Sequence, residues 1–226
     1  MQEIARGIYA IAGLKMGRSY LGEGHDGLAL VDTSSPSAAA GIITAIEGIG
    51  RRPEDLRTIV ATHYHSDHTG NVDKLIDRSG AELCVHADDV PYVDGRSSWL
   101  PIQGPLAPLL DKFAPAQFTL KVDRALQDGD VLAFAGGLQV IHAPGHTPGH
   151  IALFAKERRT LFAGDALMNV GGLRLPLSMT SHDVEQARRS VRRLVELDFD
   201  IALPGHGAPI LGRANEKIAD WARRWL

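Results

Sequence analysis

Four residues that can bind a metal ion lie within six consecutive positions of this 226-residue chain, in the segment His63-Tyr64-His65-Ser66-Asp67-His68. An apolar run at 58–62 precedes the segment and predicts a buried strand, and residues 72–79 predict a helix after it. The segment is therefore expected on a loop at the carboxyl end of a strand. Neutral imidazoles and carboxylates bind zinc, iron or manganese. Because one ion takes three or four protein ligands, this density of donors favours two ions.

Three further residues of the same chemistry each follow an apolar segment through a glycine. They are His146 after Gly145, Asp165 after Gly164 and His206 after Gly205. Glycine lets the backbone turn sharply, so we expect these turns to bring the side chains to a common edge of the fold. The candidate metal ligands are then His63, His65, Asp67, His68, His146, Asp165 and His206.

The remaining pattern predicts strands and helices that alternate, with helices on the outer faces of two sheets. A helix is expected to begin at Ser34 or Ser35, with Pro36 at an early helical position, and further helices are expected at 183–197 and 215–226. Residues 88–118 contain five prolines among apolar side chains, and they predict a lid or partly helical insertion in a single domain spanning 1–226.

Composition restricts the partners that the protein can have. A formal net charge of −3 leaves no bulk electrostatic case for binding nucleic acid or a membrane surface. The single cysteine, Cys84, excludes an internal disulfide framework and predicts a small buried apolar side chain in a strand. We therefore expect a cytoplasmic protein that acts on a small molecule, with the homodimer left open beside the monomer.

The motifs resemble those of the metallo-β-lactamase superfamily over essentially the whole chain. The matching pieces are the histidine segment, Pro144-Gly145-His146-Thr147-Pro148-Gly149-His150, Gly164-Asp165 and Pro204-Gly205-His206-Gly207. The resemblance implies an α/β (α+β) fold, a four-layer αβ/βα sandwich of two mixed β-sheets with the metal site at one edge. It assigns His63, His65 and His146 to a first ion. It assigns Asp67, His68 and His206 to a second ion, with Asp165 bridging the two.

The expected reaction is metal-assisted hydrolysis, in which two divalent ions hold a bridging hydroxide that attacks a carbonyl. Zinc is the favoured metal, with iron or manganese as alternatives, and Asp67 could take and return a proton. Many β-lactamases of the superfamily carry cysteine where this chain has Asp165, which argues against antibiotic hydrolysis. The resemblance leaves a compact hydrolase of esters, thioesters or lactones. A mononuclear iron sulfur dioxygenase and a phosphodiesterase remain the alternatives.

Several residues outside the ligand set have two interpretations each. Asp32 either supports the histidine loop or caps the turn into Pro36. Trp99, Arg174 and His182 are candidates for substrate binding, although an isolated histidine or an exposed arginine is a weak signal. Tyr64 is expected to pack in the core rather than to donate a proton. The other histidines are expected to be hydrogen-bonded or exposed structural residues; they are His25, His86, His142 and His150.

Overall fold

Two mixed β-sheets lie face to face with helices on their outer faces. The fold is described from a computed structural model, which describes residues 1–97 and 119–226. The expected four-layer sandwich is therefore confirmed. The candidate substrate-binding residue Trp99 lies outside the described residues, as does most of the predicted insertion at 88–118.

The first sheet has seven strands in chain order. Strands β4 to β7 run parallel to one another, and β1 to β4 are antiparallel neighbours. Parallel strands place their carboxyl ends at the same edge of the sheet, so the loops after β4, β5 and β6 meet there. The strands are β1 Gln2–Ala5, β2 Ile8–Ala10, β3 Tyr20–Gly24, β4 Gly27–Val31, β5 Leu56–Val60, β6 Glu82–His86 and β7 Arg124–Leu126.

The second sheet has six strands in the order β15-β14-β11-β10-β9-β8, and its β11 and β14 are parallel neighbours. A separate hairpin, β12 with β13, follows β11. The bounds are β8 Val131–Leu132, β9 Leu138–His142, β10 Ile151–Ala155, β11 Thr160–Gly164, β12 Met168–Asn169, β13 Leu173–Arg174, β14 Ile201–Pro204 and β15 Ile210–Leu211.

Six helices are seen in the described residues: α1 Ala39–Gly48, α2 Ser66–Thr69, α3 Val72–Ser79, α4 Val90–Val93, α5 Val184–Leu194 and α6 Ala214–Trp225. The apolar faces of α1 and α3 belong to a core with the first sheet, and those of α5 and α6 to a core with the second. Among the described residues, none of the helices is long and apolar enough to cross a membrane.

The alternation of side chains along each strand divides the interior into three apolar cores. In β4, Leu28 and Leu30 face the helices, whereas Ala29 and Val31 face the second sheet. Cys84 is fully buried in the core between the sheets, as the sequence predicts. Because both faces of each large sheet are covered, the central strands read as continuous apolar runs rather than alternating ones.

The expected helix start at Ser34 or Ser35 is wrong, because α1 begins at Ala39. The backbone takes a left-handed conformation at Ser34 and Ser37, with φ of 61° and 85°, which a helix cannot accommodate. Asn71 stabilises this turn from outside. Its side-chain amide donates to the Ser35 carbonyl at 2.8 Å, and its side-chain oxygen accepts from the Ala39 amide at 3.1 Å. A contact distant in sequence therefore overrides the local helix signal.

Candidate metal centre

The loop that follows β5 carries four of the seven candidate ligands. The chain leaves β5 at Val60 and turns into the short helix α2, where the amide of His68 donates to the His65 carbonyl at 2.9 Å. That turn folds the segment back on itself, so that the His63 Nε2 atom lies 3.1 Å from the His65 Nδ1 atom. His63 and His68 are buried. Alternate residues and a tight turn thus direct four donors to one place.

The second sheet supplies the other three side chains from the ends of its strands. Asp165 directly follows β11 and His206 follows β14, its parallel neighbour, while His146 lies in the turn between β9 and β10. The His206 Nε2 atom lies 3.0 Å from the Asp67 Oδ2 atom and 3.4 Å from the Asp165 Oδ2 atom. The His146 Nε2 atom lies 3.7 Å from the same Asp165 oxygen. The seven predicted side chains therefore converge at the edge between the two sheets.

Within this centre the donor atoms fall into three groups of three, and the group of His63, His68 and Asp165 overlaps the other two. One group is His63, His65 and His146, another is Asp67, His68 and His206, and the donor atoms within each lie within 4.8 Å of one another. These are the two sets that the resemblance implies. Asp165 lies between them: its Oδ1 atom is 3.6 Å from the His68 Nε2 atom, and its Oδ2 atom is near His146 and His206.

Two glycines allow this convergence, for different reasons. At Gly205 a Cβ atom would lie 2.1 Å from the Asp165 Oδ1 atom, so a side chain there would displace the carboxylate. Gly145 has a φ of +128°, and a Cβ atom there would lie 2.1 Å from the amide nitrogen of Ala187 in α5. Close approach therefore requires glycine at both positions, and the backbone conformation requires it at Gly145 as well.

Buried donor atoms without partners show that the site fits cations. Among the described residues, five buried side-chain nitrogen or oxygen atoms lack a hydrogen-bond partner, and three of them are His68 Nε2, His146 Nε2 and Asp165 Oδ1. A buried polar atom with no partner costs free energy, on the order of 1–3 kcal/mol each. Divalent ions among these atoms would satisfy all three.

The protonation states of three of the histidines suit metal binding. Burial and the charges of neighbouring imidazoles lower the pKa of His65 to about 3, and they hold the pKa values of His63 and His146 well below the usual range. These rings are neutral at physiological pH, and a neutral imidazole is the form that binds a metal. Burial alone would raise the pKa of Asp67, but its hydrogen bond with His206 and the nearby imidazole charges lower it strongly.

Asp32 supports the histidine loop, which is the first of its two interpretations. Its carboxylate accepts the Thr62 amide at 2.7 Å and the Thr62 hydroxyl at 2.8 Å, and it lies 2.7 Å from the His68 Nδ1 atom. Burial alone would lower the pKa of His68, but the carboxylates of Asp32 and Asp165 raise it to about 10. The Nδ1 atom donates to Asp32 and so directs the Nε2 atom at the other ligands, and an ion bound there would displace the second proton that the raised pKa retains on this ring.

Asp89 supports the site too, although the sequence did not identify it as part of the site. It is fully buried and accepts hydrogen bonds from the Tyr64 amide at 3.2 Å, the Thr147 hydroxyl at 2.8 Å and the Gly149 amide at 2.6 Å. Its carboxylate thus connects the loop of His63 to the loop of His146. The signal available in the sequence was its position, since Asp89 comes after the end of β6, as Asp32 comes after β4.

His150 is a structural histidine, as the sequence predicts, and its role is to hold Asp165. The Nε2 atom of His150 accepts the Asp165 amide at 2.9 Å, and its Nδ1 atom donates to the Ala143 carbonyl at 3.1 Å. The ring is fully buried, and burial lowers its pKa to about 3. A neutral ring that donates at one nitrogen and accepts at the other fixes the backbone that carries Asp165.

Of the candidate substrate-binding residues, His182 lies beside the cluster. Its amide donates to the His146 carbonyl at 3.1 Å, and its Nε2 atom lies 2.8 Å from the Tyr64 hydroxyl. Tyr64 packs in the core, as predicted, and stacks on Tyr92 with ring centroids 4.6 Å apart. Arg174 is exposed and lines a groove with Arg188 and Trp221, and the residues lining that groove include none of the seven candidate ligands.

A four-layer sandwich with five histidines and two aspartates gathered between the sheet edges defines a metal-binding α/β protein. The chain belongs to the metallo-beta-lactamase superfamily, whose family model matches residues 12–206. Within that superfamily it is a metal-dependent hydrolase.

Three known proteins illustrate the relationship. The chain is 28% identical over 204 residues to the "Probable metallo-hydrolase YflN" of Bacillus subtilis (strain 168), which covers 81% of this chain and 76% of that protein. It is 30% identical over 190 residues to the "Acyl-coenzyme A thioesterase MBLAC2" of Gallus gallus, covering 80% and 66%. The solved structure of the family protein TTHA1429 from Thermus thermophilus superposes with a TM-score of 0.76 at 26% identity, over 98% of this chain and 80% of that one.

Proposed function

We propose that the protein hydrolyses an ester, thioester or lactone at a centre of two divalent ions. The observation that carries this proposal is the position of Asp165, whose carboxylate oxygens face His68 on one side and His146 and His206 on the other. A carboxylate shared between two groups of donors is suited to bridging two ions. A relative named as an acyl-coenzyme A thioesterase supports an acyl substrate.

We assign His63, His65 and His146 to one ion, and Asp67, His68 and His206 to the other, with Asp165 shared. When bound, the two ions would supply an activated water and polarise the carbonyl oxygen of the substrate. Zinc is the metal we favour, because imidazole and carboxylate donors suit it, although the same donors also suit iron and manganese. The lone buried Cys84 is in keeping with a cytoplasmic enzyme.

Asp67 is the residue we assign to proton transfer. Its side chain is 24% exposed, whereas that of Asp165 is 6% exposed, so Asp67 is the more accessible of the two ligand carboxylates to a substrate. The Oδ2 atom would accept a proton and return it to the leaving group. Because the pKa of Asp67 is strongly lowered, this carboxylate is a weak base and its contribution to the rate is secondary to that of the metals.

An aromatic wall beside the cluster is the surface we propose for substrate binding. It consists of the partly exposed Tyr92 and His182, whose rings lie edge-on at a centroid distance of 5.6 Å, and the buried Tyr64 stacks behind Tyr92. Burial raises the pKa of Tyr64, so its hydroxyl stays protonated. We expect His182→Ala to raise KM while kcat changes little, because the wall would contact the substrate away from the reacting bond. A selective fall in kcat would instead place His182 in the chemical step.

Metal analysis of the purified protein, coupled to a substrate screen, tests the proposal. We expect about two zinc-like ions per chain and turnover of a lactone, thioester or aryl ester. One iron per chain with oxygen consumption would overturn it in favour of a sulfur dioxygenase. Preferential turnover of a phosphodiester would instead identify the protein as a phosphodiesterase.

Two variants connect the activity to the site. His65→Ala and Asp165→Asn are expected to lower kcat by at least about two orders of magnitude, because the metals contribute several kcal/mol of transition-state stabilisation. Asp73→Asn is the matched control, since Asp73 is an exposed carboxylate of α3. Unchanged activity in Asp165→Asn would show that the reaction occurs elsewhere.

A further inference from the structure

A second cluster of metal-binding side chains lies apart from the seven candidate ligands. His86 is the last residue of β6 and His142 the last of β9, so the two strands bring them together from different sheets. The imidazole rings stack with centroids 4.0 Å apart and planes 11° from parallel. The Asp88 Oδ2 atom lies 3.8 Å from the His86 Nδ1 atom and 3.8 Å from the His142 Nε2 atom.

The separations in this cluster match those of the candidate metal centre. There, the donor pairs His68–Asp165, His146–Asp165 and His68–Asp67 lie 3.6, 3.7 and 3.8 Å apart. Ligand atoms about 2.0–2.2 Å from a tetrahedral ion lie roughly 3.3–3.6 Å from one another. In the second cluster the two histidine–carboxylate distances need a contraction of a few tenths of an ångström, and a turn of one stacked ring would direct both imidazole lone pairs at the same ion.

One of the three side chains is fixed, and the other two can move. The His86 side chain is 4% exposed and is fixed by its surroundings, whereas the His142 side chain is 23% exposed and the Asp88 side chain 58% exposed, so these two can turn towards an ion. The open side of the cluster gives an ion access from solvent and leaves room for water ligands.

We propose that His86, His142 and Asp88 form a peripheral binding site for a divalent transition-metal ion such as Zn²⁺, with water completing its coordination. Two imidazoles and one carboxylate favour zinc, copper or nickel over magnesium or calcium, which prefer oxygen ligands. The site is independent of the proposed reaction, since none of its residues belongs to the candidate metal centre.

The hydrogen bonds of the two rings decide which nitrogens are available. The His86 Nδ1 atom accepts the Asp88 amide at 3.3 Å, so the ring proton is on Nε2 and an ion at Nδ1 would replace that amide contact. The His142 Nε2 atom donates to the Pro148 carbonyl at 2.9 Å, so metal binding there would move the ring proton to Nδ1 and replace that contact with the ion. Burial and the charge of His142 lower the pKa of His86, so protons do not compete for this ring near neutral pH.

The charges around the cluster favour a cation. Besides Asp88, the carboxylates of Asp128 and Asp130 act on His86 from the turn before β8. Arg193 lies 2.8 Å from Asp128, and Arg124 lies 3.9 Å from Asp130, so two of the three carboxylates already face one arginine each. The remaining carboxylate, that of Asp88, faces the two rings and would bind the metal.

Calorimetric titration with Zn²⁺ tests the site, on protein whose main centre has been loaded beforehand. We expect the wild type to bind one more ion than His142→Phe, which keeps a flat ring over His86 but removes the donor. Asp88→Asn is expected to weaken that extra binding by more than about tenfold, a scale that even indirect partners of a metal reach. His25→Phe is the matched control, because His25 is an exposed histidine beside Asp26. Equal stoichiometry and affinity in wild type and His142→Phe would overturn the proposal.

A measurement on the wild type alone covers the case in which a variant fails to fold. Diethylpyrocarbonate modifies accessible histidine nitrogens, and mass spectrometry reports each site. We expect saturating Zn²⁺ to protect His142 and to leave His25, whose side chain is 97% exposed, modified as before. Equal modification of His142 with and without Zn²⁺ on the loaded protein contradicts the site.

Discussion

At the scale of single residues, Asp32 shows how one carboxylate positions several groups. It accepts both hydrogen-bonding groups of Thr62 at the start of the histidine loop, and it also contacts the Nδ1 atom of His68. Its backbone is left-handed, with a φ of 60°. A non-glycine residue in that conformation is held there by its surroundings, and here the three side-chain contacts do so.

We expect Asp32→Asn to weaken metal binding by about 10–100-fold, because the histidine ligand loses the partner that orients its ring. The measurement is competition of the loaded protein against a chelator of known affinity. Asp77→Asn, at an exposed position of α3, serves as the control. Equal metal affinity in Asp32→Asn and wild type would show that Asp32 only shapes the turn.

Cys84 is the residue whose pH dependence is simplest to measure. Burial raises the pKa of its thiol to about 12, and the thiolate is the reactive form. We therefore expect no reaction with a thiol reagent at pH 8.5 in the folded protein, and complete reaction in denaturant. With respect to this thiol, the free energy of unfolding is highest below pH 9, where the thiol is protonated in both states. It falls as the pH rises towards 12, because the unfolded chain then loses the proton more readily than the folded chain. Fast labelling of the native protein would contradict the burial of this side chain.

At the scale of elements, the strand ends decide where the chemistry lies. Loops after β4, β5 and β6 of the first sheet carry Asp32, His63 and Asp89, and loops after β11 and β14 of the second carry Asp165 and His206. Each pair of parallel neighbours directs its following loops to the same edge. The turn after β6 then ties the two halves together, because the Asp89 carboxylate bonds to both histidine loops.

Gly205 tests the close approach of these loops. Gly205→Ala would place a Cβ atom 2.1 Å from the Asp165 Oδ1 atom, so we expect the carboxylate to shift and metal to be lost, with a cost of roughly 1–3 kcal/mol in stability. Metal content and the melting temperature measure the two effects. Gly48→Ala is the control, because a Cβ atom there meets nothing within 4 Å and alanine favours the helix. Full metal content in Gly205→Ala would show that the loop carrying residue 205 can move to accommodate the methyl group.

The sequence pattern predicted elements well where local apolar periodicity and turn residues define them. It predicted them poorly where a contact distant in the sequence determines the backbone conformation. The helix α3 has the expected bounds of 72–79, since apolar periodicity and Gly80 define it locally. The start of α1 was predicted wrongly, because Asn71, more than thirty residues away, stabilises the turn before it.

At the scale of the whole molecule, the candidate metal centre joins two sheets that share an apolar core. Ligands from the loop after β5 belong to the first half of the chain, and His146, Asp165 and His206 belong to the second. An ion that binds both sets stabilises their mutual position. It binds the folded chain and finds no preformed site in the unfolded one.

Metal removal is therefore expected to destabilise the entire fold. Dialysis against a chelator should lower the melting temperature, and a metal present at 100 times its Kd should restore about 2.7 kcal/mol. Scanning calorimetry of the metal-free protein, with and without added Zn²⁺, measures the difference. Mg²⁺ is the control, because it prefers oxygen ligands. Identical melting transitions of the metal-free protein and of the samples with Zn²⁺ and Mg²⁺ would show that no ion stabilises the contact between the two sheets.

The donor chemistry of the candidate metal centre can be predicted from the sequence alone. Five histidines and two aspartates at strand ends specify imidazole and carboxylate donors, and residue identity is sufficient for that conclusion. The tertiary structure decided which donors meet, that Asp89 joins the two histidine loops, and that His86 and His142 stack beside Asp88. These contacts connect residues far apart in the chain. They depend on how two twisted sheets pack, and no local pattern of residues encodes that packing.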